Sequence, residues 1–286
     1  MTAAFAIWLT IGVVVLIVWL VRLAMLGPIL RGRQVLRSDS HAGPPERAPR
    51  VSVVVAAKDE EDNIETCVTT LLDQDYPNFE VIAVNDRSED RTAEILRGIE
   101  RHASGQLHVV NIDSLREGWF GKNNAMREGL ERTTGEWLLF TDADCRQISR
   151  RTISMAMSEV VTSDVDFLSV TPVLETKTTW ERMTQPVCAL VLMLWFLPTR
   201  VNNPDKKTAY ANGAFMLMSR RCYEAIGGHE RVRTEVNEDI HMARFAKASG
   251  QRLKVMENDD LYRTRMYRSV RESWRGWSRI FYGSLG

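Results

Sequence analysis

Apolar residues along this chain fall into three kinds of run. The first is unbroken: residues 3–21 carry no charge and are rich in Val, Ile, Leu and Trp. About twenty such residues cross the hydrocarbon core of a bilayer, and neither a basic start nor a small-residue cleavage site marks a secretory leader. Arg22, Arg31, Arg33 and Arg37 follow the run and nothing basic precedes it. The positive-inside bias then puts the N-terminus outside and the rest of the chain in the cytoplasm. The expectation is a single-pass anchor over residues 1–30, held in the cell membrane. A juxtamembrane linker over 31–50 follows, basic at first and then rich in Pro.

The second kind of run is short and β-branched, alternating with stretches whose apolar residues recur at helical spacing. Val51–Ala57, 79–84, 107–111 and 137–140 read as buried strands; 63–72, 92–99 and 123–132 read as helices. Such alternation predicts an α/β domain whose parallel sheet is covered by helices on both faces, with ligands at the carboxyl ends of the strands. Polar clusters fall just there, after Ala57, after Val84 and after Phe140. The third kind is isolated. Residues 187–197 are uncharged and bracketed by Pro186 and Pro198, too short to span a bilayer. They read either as a buried core helix or as an element lying beside a membrane. The tail, 266–286, mixes Arg with Trp, Tyr and Phe, and reads as an amphipathic helix against headgroups or as the helix that closes the domain.

Composition narrows the choices. Of 286 residues, 37 are Lys or Arg and 37 are Asp or Glu, so the balanced charge gives no support to a nucleic-acid partner. The roughly 235 residues beyond the apolar run suffice for one good-sized domain. Cys67, Cys145, Cys188 and Cys222 have no metal-ligand spacing and read as reduced thiols.

Four clusters can carry chemistry. Asp142 and Asp144, two apart at the end of a buried strand, supply the oxygen ligands that Mg²⁺ or Mn²⁺ favour, or else merely solvate a turn. Asp86 ends another strand and can accept hydrogen bonds from a base or ribose, or serve as a cap. Lys122, after Gly121 and just before a helix, suits a phosphate contact as well as an ordinary surface position. Glu238 and Asp239 open a helical stretch; they complement its dipole, and one of them can take a proton from a hydroxyl.

In this order the four clusters, with their neighbours, resemble glycosyltransferase family 2 over about residues 50–260. Val51-Ser-Val-Val-Val-Ala-Ala-Lys-Asp-Glu-Glu matches the family's opening strand and acidic turn, Asn85-Asp86 its first Asp pair and Gly121-Lys122 its G-K-x-x-A segment. Asp142-Ala-Asp144 matches the metal motif, Asn212-Gly213-Ala214-Phe215 the acceptor-side glycine segment, and Glu238-Asp239 the E-D motif. The family's Pro and Asn of the first turn stand here as Ala57 and Asp59. Its Q-x-x-R-W motif is replaced by Arg271-Glu-Ser-Trp-Arg-Gly-Trp277 at a different spacing, and the chain stops at Gly286 where relatives often continue into further membrane helices.

The resemblance implies a GT-A fold, a Rossmann-like nucleotide-binding domain with a mixed sheet flanked by helices, over residues 51–265. It implies an inverting transferase in which Asp239 is the catalytic base beside Glu238. Ala57, Asp59, Glu60, Asp86, Lys122 and Asp142 would bind the nucleotide-sugar donor, a UDP- or GDP-sugar; Asp142 and Asp144 would hold Mg²⁺ or Mn²⁺. Asn212, Gly213, Arg275 and Trp277 would lie on the acceptor side. The membrane-anchored branch that it resembles, which includes ceramide, carotenoid and hopanoid-associated enzymes, implies a lipid acceptor. The rivals are a retaining transferase or nucleotidyltransferase of the same fold, a processive polysaccharide synthase, and a non-catalytic scaffold.

Overall fold

The computed structural model describes the backbone of residues 3–285 and the side chains of residues 5, 8–21, 27 and 32–284. Helix α1 (Ala3–Arg31) contains the first apolar run, and its residues 8–21 are all exposed. At 1.5 Å per residue it is about 43 Å long, more than the roughly 30 Å of a hydrocarbon core. The side chains of Arg22 and Arg31, part of the charge asymmetry, lie outside the described residues, as do Met1, Thr2 and Gly286. A two-residue strand, β1 (Val35–Leu36), follows.

The alternating half folds as its periodicity predicts. In order come β2 (Val51–Ala57), α2 (Ile64–Leu72), β3 (Phe79–Asp86), α3 (Thr92–Glu100), β4 (Leu107–Ile112), α4 (Gly121–Leu130) and β5 (Trp137–Asp142). Strand β2 pairs in parallel with both β3 and β5, and β3 with β4. Because helices cover both faces, β3 is buried along its whole length and shows no polar alternation. Successive side chains of β2 feed different cores: Val53 and Val55 pack with Leu139 and Leu217, while Val54 packs with Ile82, Phe140 and Met218.

Beyond β5 the pattern was not legible. The chain continues through β6 (Cys145–Gln147), α5 (Thr152–Thr162), β7 (Phe167–Thr171), β8 (Val173–Leu174), α6 (Thr179–Trp195), α7 (Pro198–Val201), β9 (Met216–Ser219) and α8 (Arg220–Ala225). It ends with α9 (Gly228–Arg231), α10 (Glu238–Ala248), β10 (Leu253–Asn258), β11 (Tyr262–Thr264) and α11 (Val270–Leu285). The main sheet runs β1-β10-β7-β9-β5-β2-β3-β4, and β9 is antiparallel to both β5 and β7. The sheet is therefore mixed, as the family resemblance implies, although the alternation of the first half taken alone suggests a wholly parallel one. A small sheet of β6, β11 and β8 stands apart.

The apolar run at 187–197 belongs to a longer helix than its flanking prolines imply. Thr178 caps α6 and Glu181 reaches back to the Thr178 N–H at 2.7 Å, a capping box that starts the helix well before Pro186. With α7 it makes Thr179–Val201, long and apolar enough to cross a membrane by length and composition alone.

Candidate functional site

Each polar cluster lies at a strand end, and the loops interlock. The turn after β2 is pinned to the turn after β3: the Asp59 N–H donates to Ser88 Oγ at 3.0 Å, and Asp59 Oδ1 accepts from the Glu89 N–H at 2.8 Å. That second bond holds the Asp59 carboxyl below its usual range. Asp59 sits at φ 55°, a left-handed conformation that Asp adopts more readily than most residues. Its carboxylate is thus already engaged in joining two loops. Glu60 faces inward, where burial raises its pKa, opposed by the hydrogen bond from Asn63 and aided by the charge of Asp142.

Asp86 ends β3, buried, and accepts from Arg87 Nε at 2.7 Å. The first turn of α4 approaches it closely. A Cβ on Gly121 would lie 2.8 Å from Asp86 Oδ2, so glycine is required for that approach. Beside it Asn85, Arg87, Ser88, Asn111 and Asp113 line a polar cavity of about 500 Å³. The buried Oδ1 of Asn85 has no hydrogen-bond partner there among the described residues.

Lys122 is the hub of the larger cleft. Its Nζ lies 2.6 Å from Asp142 Oδ1 and 2.8 Å from Glu238 Oε1, joining the end of β5 to the start of α10. Burial works against the ammonium charge, but Asp142 and Glu238 outweigh it and raise the Lys122 pKa well above the ordinary lysine value. Asn123, next in α4, donates to the carbonyls of Val232 and Glu235 at 2.7 and 2.9 Å and so fixes the segment leading to Glu238.

Asp239 Oδ2 accepts a 2.8 Å bond from the Gly213 N–H, and Oδ1 accepts one from the Ile240 N–H at 2.8 Å. Burial, then the neighbouring Glu238 carboxylate, raises the Asp239 pKa to about 7. Asn212 shapes the turn that presents Gly213: its Oδ1 accepts from the Ala214 N–H at 3.0 Å.

Lys122, Asp142, Asn212, Gly213, Glu238, Asp239 and Trp277 all line one cleft of about 650 Å³. Its polar end is this charged group. Its other wall is apolar, formed by Pro186, Ala189, Leu190 and Met193 of α6 with Trp277 and Ile280 of α11. Trp277 is fixed there by donation from Nε1 to Gln185 Oε1 at 3.0 Å. Of the other expected residues, Ala57, Asp59, Glu60, Asp86 and Asp144 stand outside this lining, and Arg275 is exposed on α11. Sequence reasoning missed Asn237, whose Nδ2 donates to the Ile280 carbonyl at 2.9 Å and ties α11 to the residue before Glu238. It also missed Tyr210 and Tyr267, which line the cleft from segments that carried no motif, and Arg279, two residues beyond Trp277 on α11.

Asp142 and Asp144 fit a shared divalent cation better than an all-protein cage. Burial first, and the charge of Asp142 second, raise the Asp144 pKa to about 6. A divalent charge would relieve that repulsion. No group of three or more His, Cys, Asp or Glu able to hold a metal occurs among the described residues. Two carboxylates completed by phosphate oxygens and water suit Mg²⁺ or Mn²⁺.

A mixed α/β sheet with a half-polar, half-apolar cleft at its strand ends places the ligand site where open α/β sheets keep theirs. The family described as Glycosyltransferase like family 2 matches residues 49–274, and the chain belongs to it. A poly-beta-1,6-N-acetyl-D-glucosamine synthase of Staphylococcus epidermidis is 30% identical over 94 residues, 33% of this chain and 21% of that one. A 4,4'-diaponeurosporenoate glycosyltransferase of Staphylococcus haemolyticus is 21% identical over 255 residues, 88% of this chain and 66% of that one. The chain spans only 21–36% of the curated relatives that it matches at 30% identity or more. Among solved structures, a mannosyltransferase of Pyrobaculum calidifontis in complex with GDP-Man and Mn²⁺ has a TM-score of 0.63 at 23% identity, covering 91% of this chain and 68% of that one. That likeness establishes the GT-A fold.

Proposed function

We propose that this chain is an inverting glycosyltransferase that moves a sugar from a nucleoside-diphosphate sugar to a hydroxyl of a lipid acceptor at the cytoplasmic face of a membrane. The observation that carries the proposal is the position of Asp239. Its carboxylate is fixed by Gly213 and the start of α10, in one cleft with Lys122 and Asp142 on its polar side and an apolar wall opposite.

The donor's nucleoside suits the polar cavity, where Asn85 offers a buried acceptor and Arg87 and Asn111 flank it. Asp86 does not itself line that cavity; its carboxylate, on the opposite face of β3, holds the Arg87 side chain that does. Asp142 and Asp144 would hold a divalent cation, which when bound supplies positive charge to diphosphate oxygens. Lys122 holds a permanent positive charge at the same end and stabilises the negative charge that builds as the diphosphate leaves. Asp239 accepts the proton of the acceptor hydroxyl while that oxygen forms its bond to the anomeric carbon. The bond from that carbon to the diphosphate breaks on the opposite side, so configuration inverts. With its pKa near 7 the carboxylate is basic enough to take the proton and ionised enough to be ready. Helix α1, uncharged across residues 3–21, would anchor the enzyme.

A polymerising reading draws support from the poly-N-acetylglucosamine synthase match. One experiment separates the two. Membranes containing the full chain are incubated with radiolabelled nucleotide sugars and extracted with organic solvent. Label in the organic phase supports a lipid acceptor; label only in insoluble polymer overturns it in favour of the synthase. The anomeric configuration of the product, read by NMR against that of the donor, tests inversion.

A further inference from the structure

Two neighbouring helices expose side chains that water does not explain. On α6, Met183, Val187, Leu190 and Leu194 are all exposed, Met183 at 68%. Their spacing of four, three and four puts them in one stripe along the helix. On α11, the exposed face carries Trp274 at 77% and Tyr282 at 86% exposure, together with Arg271, Arg275 and Arg279. None of these three arginines makes an ion pair among the described residues. The helices are joined: Trp195 meets Phe281 edge to face with ring centroids 5.5 Å apart, and Trp277 donates to Gln185.

The opposite face of α6 excludes a spanning role. Glu181 is buried and paired with Arg265 at 2.8 Å, and Gln185 is buried against Trp277. Crossing a bilayer would tear both away and carry a carboxylate into hydrocarbon. The helix can instead lie flat, polar face on the domain and apolar stripe outward. Arginines interleaved with Trp and Tyr on a solvent face suit the headgroup layer, where guanidinium meets phosphate and the amphipathic rings sit at the boundary.

We infer that α6 and α11 together form a docking face for an anionic lipid bilayer, with the α6 stripe in the acyl boundary and the α11 arginines on lipid phosphates. The inference rests on the proposed transferase reading for its purpose, because the apolar wall of the cleft is built from these same two helices. Docking this face brings the mouth of the cleft to the bilayer, so that a hydroxyl-bearing lipid reaches Asp239 without its chains crossing water. Arg33, just beyond α1, lines the same cleft and brings the proposed anchor to the same side of the domain.

The test uses the full chain in phosphatidylcholine vesicles with and without phosphatidylglycerol. In a Cys188→Ser background, nitroxides are attached through Val187→Cys, Leu194→Cys, Trp274→Cys and, as a control on α8, Glu224→Cys. Collision with oxygen is compared with collision with a water-soluble nickel chelate. We expect oxygen to dominate at 187 and 194, an intermediate value at 274, and nickel to dominate at 224. Labels at 187 and 194 that match the control overturn the inference. So do labels shielded from both reagents with mutual dipolar coupling, which would mean a second copy covers the face. In the second arm, Val187→Asp with Arg271→Glu should hydrolyse donor normally in detergent yet lose about tenfold in transfer within anionic vesicles; an unchanged vesicle rate also overturns it. Water-exposed labels alongside organic-extractable product would reject the docking face and leave the lipid acceptor standing. Bilayer-buried labels with no extractable product would do the reverse.

Discussion

Asp239 and Gly213 are joined by a 2.8 Å hydrogen bond from the backbone N–H of Gly213 to Asp239 Oδ2, although 26 residues separate them. The bond turns one carboxylate lone pair toward the scaffold and fixes the ring of space in which a hydroxyl must approach. General-base assistance is worth ~10²–10⁴ in rate. Asp239→Asn keeps the volume but loses the basicity. Its transfer rate should fall by at least about a hundredfold, with donor affinity, measured by titration calorimetry, little changed. Unimpaired turnover would remove Asp239 from the mechanism.

The pH profile should carry the same signature. Burial and the adjacent Glu238 raise the Asp239 pKa to about 7, so protonation disables the base below neutrality. The activity kcat/KM, which reports the free enzyme, should climb with unit slope as pH rises and level off above an apparent pKa of about 7. In Asp239→Asn the residual activity should lack that limb. A flat wild-type profile between pH 5 and 8, measured roughly one unit apart, would contradict the assignment.

Gly213→Ala separates positioning from folding. A Cβ there would lie 3.0 Å from Lys122 Nζ and 3.5 Å from Asp239 Oδ2. Gly213 does not have a positive φ, so alanine fits the backbone. The nearest obstacle is the tip of a flexible side chain, which can retreat. We expect thermal stability within about 1 kcal/mol of wild type. The displaced ammonium should instead lose its bridge between Asp142 and Glu238, and kcat should drop about tenfold, or 1.4 kcal/mol. A variant that is destabilised but fully active would show that the glycine serves packing alone.

The first half of the fold was legible because β2, β3 and β5 are buried nearly throughout and its helices keep a clear apolar period. Val51–Ala57 and the run ending at Asp86 needed no tertiary information. Strand β9 did not announce itself. Met216–Ser219 is only four residues long, and its place between β5 and β7 depends on a chain reversal that no local pattern encodes. The proposed donor side of the site was readable from carboxylates at strand ends. The apolar wall was readable only in part: Trp277 was expected on the acceptor side and does line the cleft, whereas Leu190 and Met193 read as a core helix or as an element beside a membrane, and only the packing of α6 on α11 leaves them facing a cleft. Pro186 misled the helix boundary because proline usually marks an end, while the Thr178 capping box fixes the start seven residues earlier in space and sequence alike.

Glu80 offers a stability prediction independent of the site. Its buried carboxylate accepts from Arg50 Nη2 at 2.8 Å, Ser52 Oγ at 2.6 Å and the Thr134 N–H at 2.7 Å, stitching the starts of β2, β3 and β5. Burial alone would raise its pKa, but these bonds outweigh it and hold the group at about 2. Removing the acceptor leaves partly buried donors unpaired, so Glu80→Ala should cost about 2–4 kcal/mol at neutral pH. The sign with pH follows. A depressed pKa gives stability that is present above the unfolded value and lost as pH falls from there toward about 2. The gap between wild type and variant in urea denaturation should therefore shrink below about pH 4.5. A gap constant down to pH 3 would mean that packing, not charge, sets the cost.

Asp144→Asn tests the proposed cation site with a readout other than turnover. Asp144 owes its pKa of about 6 to burial and to the charge of Asp142, a strain that a divalent ion would relieve. If the pair holds the ion with donor phosphates, Mn²⁺ should bind weakly alone and more tightly with a nucleoside diphosphate, because two carboxylates leave most coordination positions open. Paramagnetic relaxation of water protons by Mn²⁺, titrated with and without UDP and GDP, measures both constants. The asparagine variant should lose at least about tenfold in Mn²⁺ affinity in the ternary complex. Treatment of wild type with EDTA should abolish transfer, with Mn²⁺ or Mg²⁺ restoring it. Transfer that survives complete chelation, with no Mn²⁺-dependent tightening of nucleotide binding, would leave the leaving group to Lys122 and remove Asp144 from the proposed cation site.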